Sequence, residues 1–243
     1  KDISERGEKE HGAIASELAG KIYGLNSLEA NMARKAIKYD RVTEDMGNIV
    51  GLEHVNVLVP DQQLAIAFYI TGLGLTRDPY MMAGTGNMWA NVGQSQFHLP
   101  TRGVQVLRGI IGLVMPDIDK LVERLRAVRG ELSGTKFKFL VRKKSGYVNV
   151  TCPWGNRFRC YQAGPNTAPI QLGMSYVQFD VPVGTADGIA RFYSEVMEAN
   201  ARLERWENAK AVRVGAGNKQ ELIFRESGSG APEFDGHHLQ IYI

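Results

Sequence analysis

The same strand start recurs four times along this chain, and three of the four run into a helix. His54-Val55-Asn56-Val57-Leu58-Val59-Pro60-Asp61 precedes a segment, Leu64 to Leu73, in which Leu64, Ala67, Phe68 and Leu73 share one helical face. Ile110-Ile111-Gly112-Leu113-Val114-Met115-Pro116-Asp117 precedes a helix from Ile118 to Val128. Tyr176-Val177-Gln178-Phe179-Asp180-Val181-Pro182 leads to Ile189-Ala190-Arg191-Phe192-Tyr193, an echo of Ile66-Ala67-Phe68-Tyr69. His237-His238-Leu239-Gln240-Ile241-Tyr242-Ile243 is a fourth start with no helix after it. A unit of this kind cannot bury its apolar face alone and must pack on its neighbours. After the first helix, Gly72-Leu73-Gly74-Leu75 turns the chain, and Met88–Val92 and Gln96–Leu99 read as strands, so the order within a unit is β-α-β-β-β.

Residues i and i+2 of a strand share a face. His54 with Asn56, Tyr176 with Gln178, and His238 with Gln240 therefore set paired polar groups on one face of equivalent strands. Val55, Val57 and Val59 make the other face apolar, and it should meet the helix that follows. An α+β fold satisfies both faces if the sheet curves, with helices on its convex side and a polar hollow within.

The rest of the chain narrows the class. Its 243 residues, 44% apolar and 23% charged, are those of a globular protein with ample core. A formal charge of +3, with basic residues scattered among acidic ones, argues against nucleic acid as a partner. No apolar run reaches the roughly 18 residues a membrane span needs. Cys152 and Cys160 flank a turn, Pro153-Trp154-Gly155-Asn156; they either face each other across a hairpin or are small core residues. So few thiols fit a soluble protein of a reducing compartment, the cytoplasm or, after removal of a leader, an organelle matrix. Nothing after Lys1 resembles a signal peptide.

Residues 1–46 have a different texture, rich in Ala, Glu and Lys. Ile14, Leu18 and Ile22 form a helical stripe, Ser27 can cap a second helix from Leu28 to Tyr39, and Arg34, Lys35, Lys38 and Arg41 suit its negative end. The expectation is a helical arm packed on the domain or on a partner, making the chain a homo-oligomer or a subunit of a complex.

A strand ending in Pro-Asp, followed by a helix with Ala-Phe-Tyr and then Gly-Leu-Gly, resembles the vicinal oxygen chelate superfamily of glyoxalases, bleomycin-resistance proteins and extradiol dioxygenases. Cys152-Pro153-Trp154-Gly155-Asn156-Arg157 is similar to that family's turn before the last strand of a module. The resemblance covers residues 49–243. It implies βαβββ modules paired into curved half-barrels, with an arm at 1–46, a first two-module domain at 47–164, and a third module with the opening strand of a fourth at 170–243. Completion of the fourth module would come from a further carboxy-terminal segment or from a partner chain.

The resemblance also implies metal ligands on the first and last strands of modules, suited to a divalent ion such as Fe, Mn, Zn or Ni. Carried over one at a time, the first module offers His54 and His98, either ligands or hydrogen-bonded histidines. The second module has Ile110 and Arg159 at the matching places; Arg159 cannot bind a cation but can bind a carboxylate or phosphate. In the second half-barrel the implied set is Gln178 and His238, with Glu221 near the end of the third module. Tyr176 is a proton donor or an aromatic that fills the cavity. The expected function is that of a metal-dependent lyase, isomerase or dioxygenase acting on a small oxygen-chelating substrate. The alternative is a metal-free binding or structural subunit.

Overall fold

Two aspartates explain where the first two described helices begin. Asp61 Oδ1 accepts the backbone N–H groups of Gln63 (2.8 Å) and Leu64 (3.0 Å). Asp117 Oδ1 accepts that of Lys120 (2.9 Å). Each closes a Pro-Asp strand end and caps the helix that follows. The third start has no such aspartate. There the buried carboxylate of Glu226, from another strand, accepts the N–H of Ala186 (3.0 Å).

The computed structural model describes residues 47–79, 86–167, 169–229 and 232–243. The arm expected over 1–46 lies outside the described residues. The first unit comprises β1 (Gly51–Asn56), α1 (Gln62–Ala65, continuing as a π-helix over Ile66–Gly72), β2 (Thr76–Arg77), β3 (Asn87–Val92) and β4 (Ser95–Pro100). The second comprises β5 (Gly109–Met115), α2 (Ile118–Ala127), β6 (Lys138–Arg142), β7 (Tyr147–Thr151) and β8 (Arg157–Gln162). The third comprises β9 (Gly173–Pro182), α3 (Ala186–Arg191, continuing as a π-helix over Phe192–Val196), β10 (Ala201–Trp206), β11 (Ala209–Gly215) and β12 (Glu221–Ser227). Strand β13 (His238–Tyr242) follows. No described helix is long and apolar enough to cross a membrane.

Within each unit the first strand pairs in parallel with the last: β1 with β4, β5 with β8, β9 with β12. Between units the pairing does not follow chain order. β1 pairs antiparallel with β13, and β5 pairs antiparallel with β9. The results are a five-stranded sheet, β13-β1-β4-β3-β2, and an eight-stranded sheet, β10-β11-β12-β9-β5-β8-β7-β6. Thus the second unit shares its sheet with the third, and the first unit shares its sheet with β13. The grouping expected from sequence sets 47–164 apart from 170–243. The ladders cross that boundary, because a strand's own side-chain pattern does not select its partner.

The apolar faces meet as expected. Val55, Val57 and Val59 are wholly buried. Phe68 and Tyr69 of α1 pack with Phe97 of β4 and Phe158 of β8, so one aromatic cluster ties the helix to both sheets; the Tyr69–Phe97 and Phe68–Phe158 ring centroids are 5.2 and 5.6 Å apart. Cys152 and Cys160 are free, buried core residues on either side of the expected turn. Burial alone pushes the Cys160 thiol up to about 12.

Candidate functional site

Asn56 lies on the polar face of the five-stranded sheet, on the central strand of three. It stands opposite His238 on β13 and opposite His98 on β4. His54, two residues earlier, shares its face. Three imidazoles from three adjacent strands therefore meet: the His54 ring lies 5.7 Å from that of His98 and 6.2 Å from that of His238, centroid to centroid. Trp89, opposite His98 on β3, also reaches His54, with 5.0 Å between ring centroids.

Each ring has one nitrogen engaged. His54 Nδ1 contacts Glu53 Oε2. His98 Nε2 bonds to Asn87 Oδ1 (2.8 Å), and His238 Nδ1 lies 3.3 Å from the carbonyl of Gly236. Glu53 would point away from His54 in a regular strand. The ladder with β13 is irregular between Leu52 and His54, and that bulge turns the carboxylate onto its neighbour. Burial, with His54 and His238 close by, pushes His98 down to about 4, so it is neutral near pH 7.

Among the described residues, no three His, Cys, Asp or Glu side chains converge tightly enough to grip an ion as they stand. The donor chemistry nonetheless fits one. Among the described residues, three imidazoles each keep a ring nitrogen without a partner, while a carboxylate, an amide and a carbonyl hold the other, as the outer partners of metal-bound histidines do.

The eight-stranded sheet holds the remaining candidates, and it holds them differently. Gln178 is buried, with Oε1 accepting from Trp206 Nε1 and Nε2 donating to Asp180 Oδ1, both at 2.9 Å. Glu221 is neutralised by Arg213, through Nε at 2.9 Å, and by Arg202 at 3.5 Å. The Tyr176 hydroxyl is 3.1 Å from that of Tyr161. Burial, then Tyr161, keeps the Tyr176 phenol protonated far above its ordinary range. Arg159 pairs with Glu207 and lies over the Tyr147 ring. The ligand set implied from sequence, Gln178 and His238 with Glu221, is therefore divided. His238 sits with His54 and His98, because β13 pairs with β1 rather than with any strand of the third unit. Sequence reasoning missed Glu53, because the bulge has no local signature, and Glu207, because its contact spans two units.

This arrangement of strand–helix–three-strand units in paired sheets is shared, as a fold, with solved structures. Glyoxalase I from Zea mays is similar at a TM-score of 0.52, with 17% identity, covering 79% of this chain and 73% of that one. A Bacillus subtilis protein titled a "putative dioxygenase" is similar at a TM-score of 0.53, with 16% identity, covering 80% of this chain and 67% of that one. At such identities the likeness is one of fold. No protein-family model matches the chain. No curated protein matches it by sequence.

Proposed function

We propose that the polar face of the five-stranded sheet is a divalent-metal site, and that the protein is a metal-dependent enzyme of glyoxalase or dioxygenase type. The observation that carries this reading is the meeting of His54, His98 and His238, each with one ring nitrogen unused. His54 and His98 would be held in orientation by Glu53 and Asn87, and His238, on the exposed edge strand, would complete the set. Imidazole donors suit Zn, Fe or Ni better than Mg or Ca. When bound, such an ion supplies Lewis-acid polarisation to a substrate with two neighbouring oxygens. Trp89 offers a flat apolar wall beside the ion. Gln178 and Glu221 have no part in this site, since their polar atoms are already satisfied within the other sheet.

The test is calorimetric titration of the chelator-treated full chain with Zn²⁺, Fe²⁺, Mn²⁺ and Ni²⁺, alongside melting curves. One equivalent bound, a raised Tm, and loss of both in His54→Ala and His238→Ala would support the reading. Less than about a tenth of an equivalent, with a Tm indifferent to metal and chelator, would overturn it, since an ion held by the native state must stabilise it.

A further inference from the structure

The eight-stranded sheet carries a hollow that the metal reading does not use. A cavity of about 440 Å³ opens there, lined by Ile110, Lys138, Leu140, Asn149, Arg157 and Arg159 among others. No carboxylate lines it. Its volume falls in the range of small-molecule sites.

The charges beside it are unbalanced. Asp180 is the carboxylate for two guanidiniums, Arg157 (3.3 Å) and Arg225 (3.4 Å). Glu207 is the carboxylate for Arg159. Lys138, exposed on the edge strand β6, has no ion pair among the described residues. Three cations, Lys138, Arg157 and Arg159, thus line the hollow, and neither carboxylate does.

Arg159 is the deepest of these groups, with its side chain 11% exposed. Its guanidinium lies 4.9 Å from the Tyr147 ring centroid, and its strand neighbour across β7 is Asn149. Its buried Nε has no hydrogen-bond partner among the described residues. A planar guanidinium held against an aromatic ring presents a fixed fork to a two-oxygen anion. Glu207 now fills part of that fork, and it comes from the tip of the β10–β11 hairpin, where Glu207 and Asn208 both have left-handed backbone (φ 49° and 65°). Its side chain is 36% exposed, against 11% for Arg159, so the carboxylate is a surface group reaching inward.

We propose that this hollow binds a small molecule with an anionic head, carboxylate or phosphate, and a flat apolar body, and that the head takes the place of Glu207 on Arg159. Ile110 and Leu140 would border the body, and Lys138 would add charge at the rim. The binding is independent of a metal in the other sheet.

The probes are benzoate, phenyl phosphate and neutral benzamide, titrated calorimetrically into the full chain. Both anions should bind at millimolar affinity or tighter, and benzamide at least about tenfold more weakly; the stronger anion tells carboxylate from phosphate. Glu207→Gln removes the competing charge and should tighten the better anion by about tenfold. Arg159→Met should weaken it by a similar factor. Should that variant fold poorly, Lys138→Met, a surface change, should weaken it about threefold at low salt. Equal binding of benzamide and benzoate, or no effect of either Glu207→Gln or Lys138→Met, would overturn the proposal.

Discussion

The indole of Trp89 lies flat on the imidazole of His98, 3.9 Å between ring centroids and 13° from parallel. The stack shields one face of the histidine from water, while His54 approaches it from the neighbouring strand β1 and His238 from β13 beyond. Burial and these two neighbours all disfavour an imidazolium at His98.

A pH dependence follows. His98 titrates at about 4 in the folded chain and at 6.5 by its ordinary value. Between those values the unfolded chain binds the proton and the folded chain does not. The stabilising contribution is therefore complete above pH 6.5 and is lost as pH falls toward 4. Urea midpoints should drop across that window, and the drop should be smaller in His98→Gln. Trp89→Leu should let water in and move the His98 titration, followed by NMR, upward from 4; an unmoved titration would refute the shielding.

Gly112 of β5 makes room for the Tyr176 ring. A Cβ at this glycine would stand 2.2 Å from a carbon of that ring. Gly112→Ala should destabilise the fold by about 1–3 kcal/mol, the usual cost of overpacking. The Tyr161–Tyr176 hydroxyl pair should break at the same time. Denaturant unfolding with the double variant Gly112→Ala/Tyr176→Leu checks the cause, since relief at Tyr176 should recover part of the loss.

The Tyr69 hydroxyl is buried in the aromatic cluster and has no hydrogen-bond partner among the described residues. Tyr69→Phe should therefore leave stability unchanged or raise it by up to about 1 kcal/mol. By contrast, Phe158→Ala, which hollows the same cluster, should cost about 3–5 kcal/mol. A Tyr69→Phe loss comparable to the Phe158→Ala loss, in urea melts, would contradict this account of the core.

Cys152 and Cys160 should be inert in the native protein. Both are fully buried, and burial raises both thiols above their ordinary values. An aromatic disulfide reagent at pH 8 should modify neither until denaturant is added, and then both. Rapid reaction of either in native buffer would show that the β7–β8 turn opens.

Much of this architecture is legible in the residues themselves. Period-two alternation marks β1 and β9, a continuous apolar run marks β5, and the Pro-Asp pairs at 60–61 and 116–117 mark where two helices are capped. These are local properties: a side chain's face follows from its position in the strand, and a cap from two or three consecutive residues. The polar character of His54, Asn56 and Gln178 on strands is legible for the same reason.

What only the tertiary structure decided is which polar faces meet. His238 could have joined Gln178 or His54, since both lie on strands with a similar pattern of side chains. The pairing of β13 with β1 settled it, by a contact between residues at opposite ends of the described chain. The bulge that turns Glu53 onto His54 belongs to that same ladder, and the reach of Glu207 to Arg159 needs β8 and β10 in one sheet. Local sequence sets the alternation of a strand, whereas the identity of its neighbour depends on the burial of the whole core.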